Sequence, residues 1–200
     1  GQEEVVRGVF AARDVLAVMP TGSGKSLTYQ LPSVVLPGLT VVISPLIALI
    51  QDQTAKLLAL NVPVARLDSS LLVREREEVF RRIASGELKL LLTTPETASS
   101  ASFREKLGGR PVSLLVVDEA HCISQWGHDF RPAYLGLKEV RETLGRPPVL
   151  ALTATATPRG REDILVQPAM VDTVQGARPS ARQGQPVHQP LTSLGPDGRS

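Results

Sequence analysis

The chain has 200 residues, 42% of them hydrophobic, which is enough to bury one ordinary core and too little for two full domains. Its 22 basic and 20 acidic residues leave a net charge of +2, so bulk electrostatics advertise no nucleic-acid partner and any such contact must come from local placement. Cys122 is the single cysteine, which excludes an internal disulfide and a cysteine-rich zinc site; no apolar run approaches membrane-spanning length and the N-terminus lacks the order of a signal peptide, all of which fits a soluble protein of the reducing, cytoplasmic compartment.

In chain order, EEVVRGVFAAR (3–13) has helical period and DVLAVM (14–19) reads as a strand. The loop MPTGSGKS (19–26) follows, with a helix expected after it. TVVISP (40–45) is a second strand, LIALIQDQTAKLLAL (46–60) a helix, VPVARL (62–67) a strand, and LLVREREEVFRRIASG (71–86) a helix with an ion-paired, solvated face. LKLLLTT (88–94), VSLLVVDE (112–119) and PVLALTA (148–154) complete six strands, and RPAYLGLKEVRETLG (131–145) is a further helix. Gly86 and Gly145 stand where a helix end favours glycine. Several strands are apolar at nearly every position, the mark of burial on both faces, so the fold class is α/β with a mainly parallel sheet between two helical layers. The ordered domain is expected over 1–167. From Pro168 to Ser200 the chain is rich in Pro, Gly, Gln, Ser and Arg without period, and a disordered tail is expected.

Two stretches carry chemistry. In the loop after the first strand, glycines 22 and 24 let Thr21, Gly22, Ser23 and Gly24 turn their N–H groups inward, the helix start adds positive potential, Lys25 reaches terminal phosphates and Ser26 can ligand magnesium; the bland alternative is a Gly/Ser loop with an incidental lysine. VSLLVVDE ends in two acids, and at the carboxyl end of a parallel strand Asp118 can hold magnesium while Glu119 orients and deprotonates a water. Two acids there can also be no more than a solvated turn. Just beyond lies the sole Trp of a chain that is only 4% aromatic. In QWGHDF the polar, flexible surroundings of Trp126 make poor core material, so Trp126 and Phe130 are candidates for stacking on unpaired bases and Arg131 for pairing with a phosphate or a nearby acid. Tyr134 and Cys122 read as packing residues.

MPTGSGKSLTYQLP, VVISPLIALIQDQ, DEAHCISQWGHDFRPAY and ALTATAT, in this order and spacing, resemble the helicase motifs of the RecQ family of superfamily 2 DNA helicases. The resemblance covers 1–167 and implies the first RecA-like, P-loop motor domain of an ATP-dependent 3′ to 5′ DNA helicase of repair and recombination, with ATP and Mg²⁺ as cofactors and single-stranded or unwinding DNA as partner. It implies that GQEEVV puts Gln2 against adenine, and that Trp126, His128, Phe130 and Arg131 form a loop coupling DNA to hydrolysis, with His121 as relay. It further implies that Ser44, Gln51 and Gln53 contact a single strand, and that Thr153, Thr155 and Thr157 bond to Asp118 or His121. TTPE (93–96) stands where relatives carry Ala-Pro-Glu-Arg. A second RecA-like domain, which supplies the arginine finger in the family, is not in this sequence, so the chain reads as a fragment. Two other readings stay open: a nucleotide-gated single-strand-binding module without useful catalysis, and a P-loop ATPase acting on a partner other than nucleic acid.

Overall fold

A computed structural model describes residues 1–171 and 173–176. The elements are α1 (Gln2–Phe10), β1 (Val15–Val18), α2 (Leu27–Val35), β2 (Leu39–Ile43), α3 (Ile47–Ala59), β3 (Val64–Leu67), α4 (Val73–Ala84), β4 (Leu90–Thr93), α5 (Pro95–Ala98), α6 (Ala101–Leu107), β5 (Val112–Val117), α7 (Leu137–Thr143), β6 (Val149–Thr153), α8 (Pro158–Val166) and β7 (Val174–Gly176). Short 3-10 turns cover Ala120–Ile123 and Pro132–Gly136. The strands form one sheet in the order β3-β4-β2-β5-β6-β1-β7, and every pairing is parallel.

All six expected strands form, for the physical reason that made them visible. Successive residues of a strand point to opposite faces, and here both faces are core. Leu16 packs with Val41, Ile43, Leu115 and Val117 beneath α4, α6, α7 and α8. Its neighbours Val15 and Ala17 join Val42, Leu90, Val116 and Leu152 beneath α1, α2 and α3. Gly86 and Gly145 do close their helices, at φ +76° and +82°. Each sits in a Schellman pair: Gly86 N–H donates to Ile83 O and Glu87 N–H to Arg82 O, as Gly145 does to Glu142 and Arg146 to Arg141.

Beside the helices α5, α6 and α8, which the sequence reading did not assign, two features lie outside it. The expected tail starts at Pro168, yet 168–171 pack on the domain and Val174–Gly176 adds a seventh strand to the edge of β1. A buried ion pair holds this segment. Arg141 donates to Asp14 Oδ1 at 2.9 Å and to the carbonyls of Pro147, Pro168 and Ala169, while Asp14 also accepts from the amides of Val149 and Val171. One carboxylate thus ties together the starts of β1 and β6 and the chain leading to β7. The rest of the expected tail, 177–200, lies outside the described residues.

Because all strands are parallel, their carboxyl ends share one rim. The loops after β1, β2, β4, β5 and β6 gather there, with β6 standing between β1 and β5.

Candidate functional site

At the end of β1 the chain turns through 19–26 before α2 begins. Gly22 and Gly24 take φ of +78° and +77°, the left-handed region that glycine enters without cost. A Cβ on Gly24 would come 2.5 Å from Gln2 Nε2, so a side chain there would also push the end of Gln2 aside. Gln2, at the start of α1, donates its side-chain amide to Ser23 O and so holds the loop from outside. Ser23 N–H donates to Pro20 O at 3.2 Å, but among the described residues the backbone N–H groups of Gly22, Gly24, Lys25 and Ser26 donate to nothing. Four unsatisfied donors within five residues before a helix start form a nest for an anion.

Across the end of β6 lie the acids. Lys25 Nζ stands 3.9 Å from Glu119 Oε1, and both side chains are largely covered. Thr153 joins the two sides: its carbonyl accepts from Met19 N–H at 2.9 Å and its hydroxyl lies 3.1 Å from His121 Nδ1. That hydroxyl donates its own proton to Thr155 O at 2.7 Å, so Nδ1 carries the hydrogen and donates toward Thr153. The same Nδ1 is 3.3 Å from Glu119 Oε2, and Nε2 is 3.7 Å from Asp129 Oδ2. A line of charged and polar side chains, 3.3–3.9 Å apart, therefore runs Lys25–Glu119–His121–Asp129 from the 19–26 loop into the aromatic segment.

Asp118 is buried, and one of its oxygens accepts from Glu119 N–H at 2.9 Å. Burial, then the neighbouring Glu119 charge, pushes its carboxyl up to about 6, against a weaker pull from Lys25 and His121. Glu119 has φ 48° and ψ 45°, a left-handed backbone unusual for a non-glycine residue. Strain of this kind, on the order of 1–3 kcal/mol, gathers at functional sites because the surroundings must impose it. Tyr134, fully buried, donates to Asp118 O at 3.1 Å and steadies this turn from below. Burial raises its hydroxyl far above the usual range, and it raises the Cys122 thiol to about 11, so both are packing groups.

A cleft of ≈ 580 Å³ opens on the rim. Thr21 and Glu119 line it from the side of the 19–26 loop, and His128, Phe130 and Arg131 line it from the aromatic side. His121 belongs both to this cleft and to an adjoining groove of ≈ 220 Å³ walled by Trp126 and α8. Trp126 is 70% exposed. Arg131 Nη1 lies 4.0 Å from Glu96 Oε1, at the edge of ion-pair range; Glu96 belongs to the TTPE segment, whose Thr94 caps α5 by accepting from Thr97 N–H.

The structure departs from the sequence reading at four positions, one of them Thr155, which meets Thr153 through its backbone and not Asp118 or His121 through its hydroxyl. Ser44 is 3% exposed and its hydroxyl meets no partner, so as placed it cannot reach a strand outside. Gln53 is engaged by the Tyr29 hydroxyl; Gln51 alone of the three is exposed. Thr157 caps α8 by accepting from Gly160 N–H at 3.0 Å, rather than bonding to Asp118 or His121. Arg159, four residues before Asp163 on α8, was not singled out: its guanidinium lies 3.9 Å over the Trp126 ring, and Asp163 accepts from Ser124 Oγ at 2.6 Å. The helical motif PRGREDIL behind a capping threonine was the available signal.

Among the described residues no group of three or more His, Cys, Asp or Glu could hold a metal unaided, and no helix is long and apolar enough to cross a membrane. The fold is that of helicase motor domains. It superposes with TM-score 0.69 on the DUF1998 helicase MrfA (20% identity, 90% of this chain and 30% of that one) and with TM-score 0.67 on the Pyrococcus furiosus Hef helicase domain (23% identity, 88% and 37%). In sequence the chain is 53% identical over 170 residues to ATP-dependent DNA helicase Q5 of Rattus norvegicus and 47% identical over 165 residues to ATP-dependent DNA helicase RecQ of Pasteurella multocida. Each alignment takes in 82% of this chain, but only 18% and 26% of the relative, so the chain spans about a fifth to a quarter of these curated relatives. The DEAD/DEAH box helicase family model matches residues 1–164, and that match makes the chain a member of the family.

Proposed function

We propose that the chain is the ATP-binding and hydrolysing lobe of a RecQ-type 3′ to 5′ DNA helicase, coupling nucleotide turnover to single-stranded DNA and working with a second RecA-like lobe. The observation that carries this reading is the shared rim: Thr21 of the glycine loop and Glu119 line the same cleft as His128, Phe130 and Arg131, and Lys25 of that loop stands 3.9 Å from Glu119. Bound Mg²⁺-ATP supplies the electrophilic phosphorus and the leaving group. The residues fit it. The free amides of 22 and 24–26 match phosphate oxygens, Lys25 adds a positive charge, and Ser26 with Asp118 offers oxygen ligands of the kind magnesium takes beside phosphates.

Each residue of the chain then has a task. Lys25, ion-paired with Glu119 in the free protein, exchanges that partner for phosphate and frees the carboxylate. Glu119 accepts the proton of the attacking water, and His121, held by Thr153, stands 3.3 Å from its other oxygen and packs against it. Asp118 must be ionised to hold the metal, and its raised pKa sets a lower pH limit for that role. Gln2 lies beside the loop, where its amide can meet the adenine edge. Trp126 and Phe130 stack on bases, at about 1–3 kcal/mol per base, and His128 and Arg131 bind the backbone. His121 stands between Asp129 at 3.7 Å and Glu119 at 3.3 Å, so a displacement of the loop reaches Glu119 through it.

Titration with a fluorescent ATP analogue in Mg²⁺ tests the first half of this reading. Lys25→Ala weakens binding tenfold or more, since it removes a charged hydrogen bond of about 1.5–3 kcal/mol. Equal affinity of the variant and the parent chain would rule the nest out as a triphosphate site.

A further inference from the structure

The aromatic segment does not stand free. It is fastened to one face of α8 at two points, because Arg159 and Asp163 are four residues apart and so lie on the same side of the helix. At the base of the segment Ser124 donates to Asp163 at 2.6 Å. At its tip the Arg159 guanidinium covers a face of the Trp126 ring at 3.9 Å from the centroid. Arg159 is exposed and forms no salt bridge among the described residues, so its contact with the ring is not a by-product of an ion pair elsewhere. The α8 cap is Thr157, two residues from the Thr155 carbonyl that fixes the Thr153 hydroxyl against His121. Whatever holds the ring to α8 therefore holds it to the strand end that sets the relay histidine.

We propose that Arg159 is a latch: it parks Trp126 on α8 in the DNA-free protein by occupying a ring face that a base would use, so that a single strand must displace the guanidinium to stack there. The proposal rests on the reading of Trp126 as a base-stacking residue. A guanidinium centred over the ring and a base stacked on that face exclude each other sterically. The competition favours DNA, because base stacking is worth more than an exposed cation–π contact, but it raises the strand concentration at which the ring is captured. Arg159 is thus a positioning residue that sets a threshold. The sign of its effect is unlike that of a basic residue contacting phosphate, whose removal weakens binding.

Trp126 is the chain's only tryptophan, so its emission reports on this contact without a label. The experiment titrates the full chain with oligo(dT), following that emission, for the parent chain, Arg159→Ala and Arg159→Lys, with acrylamide quenching of each in the absence of DNA. The latch predicts that Arg159→Ala is quenched more readily and binds oligo(dT) about two- to fivefold more tightly despite losing a positive charge, with Arg159→Lys between the two. Weaker binding by Arg159→Ala would make Arg159 a phosphate contact and overturn the latch. Equal binding with a normal emission change in both would overturn the latch and leave the stacking role of Trp126 standing. No change in parent emission at saturating oligo(dT), with binding followed separately by anisotropy of a labelled strand, would remove the stacking role itself and the latch with it.

Discussion

Replacing Asp118 by Asn should make the protein more stable and inactive at once. In the fold this carboxyl is buried beside Glu119, and its pKa rises from 3.8 to about 6. A group whose folded pKa lies above its unfolded value favours folding in its protonated form. That contribution is full below pH 3.8 and is lost as pH rises through 6. At pH 7.5 the chain therefore carries an ionised, desolvated carboxylate at a cost of about 3 kcal/mol, from a shift of roughly two units. Asn removes the charge but keeps an oxygen to accept from Glu119 N–H, so the local hydrogen bond survives. For a domain of this size about 3 kcal/mol corresponds to roughly 6–12 °C in Tm. Thermal melts in EDTA without nucleotide, run from pH 4.5 to 8, should show Asp118→Asn melting above the parent at pH 7.5, with the gap closing as pH falls. A variant no more stable at pH 7.5, or a gap that widens toward low pH, would refute the reasoning.

Other expectations concern stability and the exposed ring. Asp14→Ala strands the Arg141 guanidinium in the interior and leaves the amides of Val149 and Val171 without an acceptor, which should cost about 3–5 kcal/mol in urea denaturation. A loss under about 1 kcal/mol would mean that water replaces the carboxylate. Ala12 occupies, at φ 54°, the helix-ending position where Gly86 and Gly145 do the same task elsewhere. Ala12→Gly should stabilise by about 0.5–1 kcal/mol, read as a Tm rise of roughly 1–4 °C, and a fall would show that the left-handed backbone there is not strained. Trp126→Ala, at an exposed site, should change stability by less than about 0.5 kcal/mol while abolishing the stimulation of phosphate release by single-stranded DNA in the chain fused to a second RecA-like lobe. Intact stimulation would contradict its assigned role.

The strands were legible because a parallel sheet under two helical layers forces unbroken apolar runs such as Leu114–Val117, which few other arrangements produce. The glycines that close α4 and α7 were legible because only a left-handed residue permits the Schellman pair. The separation between Lys25 and Glu119 followed from topology, since parallel strands send their ends to one rim. What did not show was anything decided by pairing across long separations. Asp14 and Arg141 are 127 residues apart, and neither carries a local signal of burial. Three residues, Val-Gln-Gly, make β7 only because β1 offers an unpaired edge. Gln53 looked like a surface amide until the Tyr29 hydroxyl claimed it, and Thr157 looked like a site hydroxyl until α8 needed a cap. The Trp126–Arg159 contact joins the aromatic segment to a helix that sequence reading did not assign.

The central claim is that nucleotide and single strand are felt through the Glu119–His121 line, and by thermodynamic reciprocity each ligand must then change the affinity of the other by the same factor. The direct measurement is the oligo(dT) affinity of the chain, read from Trp126 emission, with and without a non-hydrolysable ATP analogue and Mg²⁺, in the parent and in His121→Ala. The account predicts an affinity that changes at least severalfold with nucleotide in the parent and stays constant in His121→Ala. An affinity indifferent to nucleotide in the parent, or an unchanged response in His121→Ala, would contradict it.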